Sequence, residues 1–364
     1  MNVAEPKRIL IYRLGSLGDT VVALPAFHLI ERAFPNAERL LLTNVPVHAK
    51  APAAWAILEG TGLVHGFLNY RVGTRKPWEL AGIWREIRRF RPELLVYLAG
   101  PRGEQVVQRD EKFFRACGIR NIVGLPTGEL SVHTQSEATG LWEREAARLI
   151  RCLPEFGSCD LDDPRNWDLR LTAEEEERAQ QSLGTLLGAP LIACGPGTKM
   201  QAKDWGQENW RALLGRLGEA FPKHGLVMVG AREDAPVAEF SASDWGGEVK
   251  NLCGELTPRE TAAVIRQCEL FLGPDSGPMH LAAAYGVPCA IAFAARELPG
   301  LWYPAGNIHR VVYHSVPCSN CSLETCTVNQ RLCLTSISVE EMFEAAMEAW
   351  KNGKEARSGQ LTRG

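Results

Sequence analysis

Short, unbroken apolar runs recur along this chain, each followed by a helix-like stretch, and that alternation constrains the fold more than any other feature. RILIY, RLLLTN, ELLVYLA and NIVGL read as strands in the first half; PLIACG, GLVMVG, ELFLG and PCAIAF do so in the second. None shows the polar alternation of a half-solvated strand, so each suits a parallel sheet covered on both faces. Between them, DTVVALPAFHLIERAF, AGIWREIRRF, WEREAARLIRCL, QENWRALLGRLGEAF and PRETAAVIRQC carry helical periodicity. Strand–helix alternation of this kind predicts a doubly wound α/β architecture.

A chain of 364 residues is longer than one core usually supports, which predicts two domains. The boundary is expected in PEFGSCDLDDPRNWDLRLTAEEEERAQ, which is polar, acidic and Pro/Gly-containing. It precedes a charged helix starting near Thr172, with Glu175 placed for a capping box. The domains expected are 1–165 and 166–338, then a closing helix over 339–352 and a disordered tail over 353–364. Two Rossmann-like halves joined in this way would face a central cleft at the carboxyl ends of both sheets. The acids Asp160, Asp162 and Asp163 fall in the expected linker and read as solvated rather than metal-binding.

Neither a signal peptide nor the roughly 20 apolar residues of a membrane span is evident, so a cytoplasmic protein is expected. Its eleven cysteines would then be stable as thiols. The net charge of −3 conceals an asymmetry: residues 1–165 hold 22 Lys and Arg against 19 Asp and Glu, the remainder 18 against 24. The basic excess concentrates in RVGTRKPWELAGIWREIRRFR, where Arg71, Arg75, Lys76, Arg85, Arg88, Arg89 and Arg91 face only Glu79 and Glu86. A solvated helix face explains it as well as a surface for anionic lipid or a phosphorylated acceptor does. Nucleic acid is not expected, because basic–aromatic interleaving is lacking elsewhere.

Three loops carry the chemistry. RILIYRLGSLGDTVVALPAF runs a strand into Gly15-Ser16-Leu17-Gly18-Asp19 and then a helix, so Gly15 and Gly18 allow close approach of a ligand. The G-x-x-G spacing is not the dinucleotide fingerprint. Asp19 stands where a helix N-cap is expected, and capping alone accounts for it as readily as a general base does. In GPDSGPMHLAAAYGVP, Asp275, Ser276 and Gly277 end a strand and open a helix whose amino terminus favours phosphate, with His280 one turn on. In IACGPGTKMQAKDWGQENW, Thr198 supplies a hydroxyl and Lys199 and Lys203 supply point charges suited to a diphosphate leaving group. Glu233 and Asp234 follow another strand, where an acid commonly meets a ribose hydroxyl.

Taken in order along nearly the whole chain, RLGSLGDTVVALPA, GPGTKMQAKDWGQENW, GPDSGPMHLAAAYGVP and CSNCSLETCTVNQRLC resemble the ADP-heptose:lipopolysaccharide heptosyltransferases, glycosyltransferase family 9. The resemblance implies the GT-B fold, with the acceptor on the first domain and the nucleotide-sugar on the second. It makes Asp19 the base, puts Thr198 and Lys203 on phosphate and sugar contacts, and puts Glu233 or Asp234 on the ribose. Asp275, Ser276, Gly277 and His280 fall on the donor turn. It further implies an inverting, metal-independent transfer from an ADP-sugar to a lipid-linked or oligosaccharide acceptor at the inner face of the cytoplasmic membrane. The family's Asp-Thr-Gly is Asp-Ser-Gly here, and AARELPGLWYPAG replaces the usual Gly-Pro-Thr after CAIAF, leaving the sugar open. The alternatives are another GT-B transferase or epimerase, or a non-catalytic nucleotide-binding relative.

Cys318, Cys321, Cys326 and Cys333 are spaced C-x2-C-x4-C-x6-C. Four thiolates at these intervals fit a structural tetrahedral Zn site; reduced thiols are the competing reading and disulfides come last.

Overall fold

The computed structural model describes residues 5–45, 52–74 and 76–361. Arg75 of the basic stretch and the ends at 1–4 and 362–364 lie outside them. The chain divides into two compact units, Met1–Leu169 and Arg170–Gly364.

In the first unit, β1 (Arg8–Tyr12), β2 (Glu38–Asn44), β3 (Gly66–Tyr70), β4 (Leu94–Tyr97) and β5 (Asn121–Val123) form one parallel sheet in the order β3-β2-β1-β4-β5. Ile9, Leu10, Ile11, Leu95 and Val96 are wholly buried, as continuous apolar runs require. One face packs Leu10, Tyr12 and Tyr97 against Ile87 of the helix Pro77–Phe90 and Phe114 of the helix Glu104–Ala116. Strand order reverses between β1 and β4, so the loop leaving β1 lies at the switch point where such sheets bind ligands.

In the second unit, β6 (Leu191–Cys194), β7 (Gly225–Met228), β8 (Val249–Asn251), β9 (Leu270–Pro274), β10 (Cys289–Phe293) and β11 (Arg310–Tyr313) form a parallel sheet in the order β11-β10-β9-β6-β7-β8. Counted from β6, this is the doubly wound order 3-2-1-4-5-6. Its switch point falls between β6 and β9, whose loops carry Lys203 and Asp275.

Several expectations are corrected. β3, β8 and β11 were not read from the sequence; each is a sheet edge, short and only part-buried. The first long helical pattern breaks at Ala23 into Leu17–Val22 and Leu24–Ala33, with Pro25 in the first turn of the second helix. The expected linker is packed against the first unit: Arg32 donates to Asn166 Oδ1 (2.6 Å), His28 bonds the Asp168 carbonyl (2.8 Å), and Trp167 is buried. Thr172 and Glu175 do form the capping box. The closing helix runs Val339–Leu361, through residues expected to be a disordered tail. Among the described residues no helix is long and apolar enough to cross a membrane.

Candidate functional site

Beyond β1, Arg13 is buried at the strand end and donates to two backbone carbonyls, Leu98 (2.7 Å) and Asp19 (2.6 Å). Gly15 takes φ +129° and donates its N–H to Asn44 Oδ1 (2.7 Å). A Cβ there would fall 2.2 Å from Asp19 Cβ, so only glycine lets the aspartate fold back over the turn. Ser16 is the N-cap and Asp19 the third helical residue, which corrects the expected capping position; Gly18 lies inside the helix's first turn. Asp19 Oδ2 accepts from the Ser16 N–H (2.8 Å) and hydroxyl (3.3 Å), while Oδ1 takes no hydrogen bond among the described residues. The half-exposed carboxylate is therefore anchored by one oxygen, with the other left to accept a proton.

Behind it stands a network not read from the sequence. Glu145 receives two bonds of 2.7 Å from Arg148, one of 2.9 Å with His133, and lies 3.7 Å from Arg13. Burial alone would raise its carboxyl, but the Arg148 and His133 hydrogen bonds and the nearby guanidiniums pull it down to about 2. Polar side chains scattered over 13, 133, 145 and 148 show no spacing signal, which explains the omission.

In the second unit, the loops after β6 and β9 meet. Lys203 Nζ lies 2.6 Å from Asp275 Oδ2, and both side chains are largely buried. Ser276 caps the helix Gly277–Ala284 in extended conformation, yet its hydroxyl is buried without a hydrogen-bond partner among the described residues. Pro278 sits in the first turn, where the amides of Gly277 and Met279 have no intrahelical acceptor. The turn thus gathers a buried ammonium, helix-terminal amides without intrahelical acceptors and an orphan hydroxyl, groups whose chemistry suits an anion. His280 is buried in the same helix, its ring edge-on to Trp302 at 6.5 Å.

The remaining sequence candidates divide. Thr198 pins its own turn, accepting from the Met200 N–H (3.2 Å) and donating to the Met200 carbonyl (3.3 Å). Lys199 is exposed. Asp234 is buried, accepts from the Ala231 N–H (2.9 Å) and lies where a Cβ on Gly197 would meet its Cγ at 2.2 Å, so it shapes the loop. Glu233 is exposed and is the acid of the two still accessible to a ligand.

Cys318, Cys321, Cys326 and Cys333 are free, part-buried thiols. Among the described residues no group of three or more His, Cys, Asp or Glu is arranged to hold a metal, against the zinc expectation. Two of the sulfurs serve instead as hydrogen-bond acceptors: Cys318 from the Asn329 amide (3.2 Å) and Cys326 from the Arg331 N–H (3.1 Å).

A cavity of about 480 Å³ opens in the first unit beside Tyr12, Tyr70, Leu80, Arg102, Asp110 and Phe113. Tyr12 and Tyr70 share a 2.6 Å hydrogen bond, and Arg102 donates to Tyr12, Tyr97 and Asp110. The adjoining helix Pro77–Phe90 buries only Ile87 and exposes Trp78 (69%) and Trp84 (40%) beside Lys76, Arg85, Arg88 and Arg89.

Two parallel doubly wound units in one chain define a protein of the GT-B class. Glycosyltransferase family 9 (heptosyltransferase) matches residues 142–331, just over half of the chain. The lipooligosaccharide heptosyltransferase 2 of Campylobacter jejuni serotype O:2 is 30% identical over 170 residues, 45% of this chain; the chain spans about half the length of that relative (52%). Among solved structures, a glycosyl transferase family 9 protein from Veillonella parvula superposes with TM-score 0.70 at 18% identity, covering 96% of this chain and 98% of that one. The E. coli ADP-heptose lps heptosyltransferase II gives TM-score 0.64 at 16% identity over 95% and 99%. The chain belongs to glycosyltransferase family 9. Lys203, Asp275 and the four clustered cysteines except Cys333 lie in the matched stretch; Asp19 lies before it.

Proposed function

We propose that this protein transfers a sugar, heptose in the first instance, from an ADP-sugar to an anionic lipopolysaccharide-core or related glycan acceptor, with inversion and without a metal. The Lys203–Asp275 pair beside the open helix terminus carries the reading. Asp275 fixes the ammonium, and Lys203 with the first-turn amides neutralises the departing diphosphate. Asp19 Oδ1 takes the proton of the acceptor hydroxyl as its oxygen attacks the anomeric carbon and the carbon–oxygen bond to diphosphate breaks. Glu233 is the acid assigned to the ribose. The choice of donor and sugar is supported by relatives such as the E. coli ADP-heptose lps heptosyltransferase II.

The exposed cations Arg71, Lys76, Arg85, Arg88 and Arg89, with Trp78 and Trp84 among them, suit an anionic acceptor at a lipid surface. The cavity beside Tyr12 and Arg102 is the concave site of that same face. A thermal-shift series with ADP, UDP, GDP and ADP-heptose tests the donor: adenine compounds alone should stabilise the protein. Equal stabilisation by UDP would overturn the ADP assignment. ADP release that proceeds without any acceptor would point to an epimerase or hydrolase instead.

A further inference from the structure

The cysteine loop is fastened to the turn that presents Lys203. The Ala202 N–H donates to the Glu324 carbonyl (3.0 Å), and the Cys326 N–H donates to Gln201 Oε1 (2.9 Å). Arg331 Nη1 donates to both the carbonyl (2.7 Å) and Oδ2 (2.9 Å) of Asp204. Gln201–Lys203 is a single 3-10 turn, so these bonds bracket it on both sides. The loop's other margin is gripped by Arg296, which donates to the Ser322 (2.7 Å) and Leu323 (2.9 Å) carbonyls.

The loop is wound rather than slack. Asn320, Ser322, Gln330 and Arg331 all have φ between 47° and 64°, a left-handed conformation that residues other than glycine keep only when their surroundings impose it. The sulfurs supply part of that constraint, because the Arg331 N–H is bound to Cys326 while the Arg331 guanidinium reaches Asp204. Amide donors from Arg331, Asn329 and Val328 hold the Cys326 thiol below the ordinary cysteine range. Arg331 thus joins the sulfur turn to the lysine turn within one residue.

We infer that Arg331 is a positioning residue for Lys203, and that the four-cysteine loop serves as the strap that fixes the ammonium in place for a diphosphate. The inference rests on the reading of Lys203 as a diphosphate contact. A double-mutant cycle on the full chain tests it, with ADP affinity measured by calorimetry. Arg331→Ala should weaken ADP about tenfold, and by less than about twofold when Lys203 is already alanine, because the two act through one contact. Arg331→Lys, which keeps a cation for Asp204 but on a more mobile stem without the rigid guanidinium plane, should fall between. Gln201→Ala removes the second fastening at an exposed position and should also weaken ADP, keeping the proposal testable if Arg331→Ala does not fold. Unchanged ADP affinity in Lys203→Ala would sink the donor-site reading itself. A clear loss in Lys203→Ala with no loss in Arg331→Ala and Gln201→Ala, or losses that multiply independently, would sink the strap alone.

Discussion

Asp19 is held by its helix and remains available to chemistry at the same time. Its Oδ2 closes the turn over Gly15, and its carbonyl is gripped by a buried arginine. Asparagine keeps an oxygen that can accept from Ser16, so Asp19→Asn should preserve the fold while removing the base. The expected outcome is a loss of about 10²- to 10⁴-fold in kcat, with ADP affinity and melting temperature near those of the parent. Steady-state kinetics beside calorimetry checks it; turnover within a factor of a few would show that the carboxylate is only a cap. Sequence reasoning could identify the residue but not its state. Whether a carboxylate caps, catalyses or does both depends on which oxygen is engaged, and no spacing encodes that. Lys203 and Asp275 were similarly legible as separate candidates, but their pairing across the switch point required the strand order.

At the scale of elements, central strands were legible because burial on both faces demands apolar residues throughout. The edge strands GFLNY, VKN and RVVY lack that demand and are defined by their neighbours. The end of the closing helix is hidden from sequence for a related reason: KNGKEARSGQ is polar, and one acid outside it does much of the anchoring. Glu269, preceding β9, accepts from Trp350 Nε1 (3.0 Å) and Lys354 Nζ (2.7 Å), while Gly353 lies against Pro288 too closely for any Cβ. Partial burial would raise the Glu269 carboxyl, but the bonds from Lys354, Trp350 and His224 bring it to about 2. A carboxyl lowered in the folded state stabilises fully above its unfolded value, about 4.3, and loses that contribution as pH falls toward 2. The protection factors of the amides over residues 350–358, which take out the pH dependence of intrinsic exchange, should therefore fall between about pH 4.5 and 2, and Glu269→Gln should show the lower protection already at pH 7. Equal protection in parent and variant at pH 7 would refute the anchor.

For the whole molecule, a net charge of −3 opposes any approach to an anionic membrane, so attraction must come from a local patch. At physiological salt the screening length is about 8 Å, so a bilayer meeting the helix Pro77–Phe90 senses the cations it touches far more than the summed charge of the chain. Arg85, Arg88 and Arg89 are exposed there, and Arg88 lies over Trp84 at 5.3 Å, combining charge with an interfacial aromatic. Each such cation contributes about 1 kcal/mol toward an anionic surface, so replacing all three with alanine should lower vesicle partitioning about a hundredfold. Co-sedimentation with vesicles containing phosphatidylserine, against pure phosphatidylcholine, measures this. Binding by the parent should fall steeply with added salt and be weak on the neutral vesicles. Trp84→Ala should instead reduce the fraction that survives high salt, because burial of an indole is not screened. Indifference to vesicle charge, or a triple variant that binds like the parent, would assign the basic face to solvent and leave acceptor capture to the cavity beside Tyr12 alone.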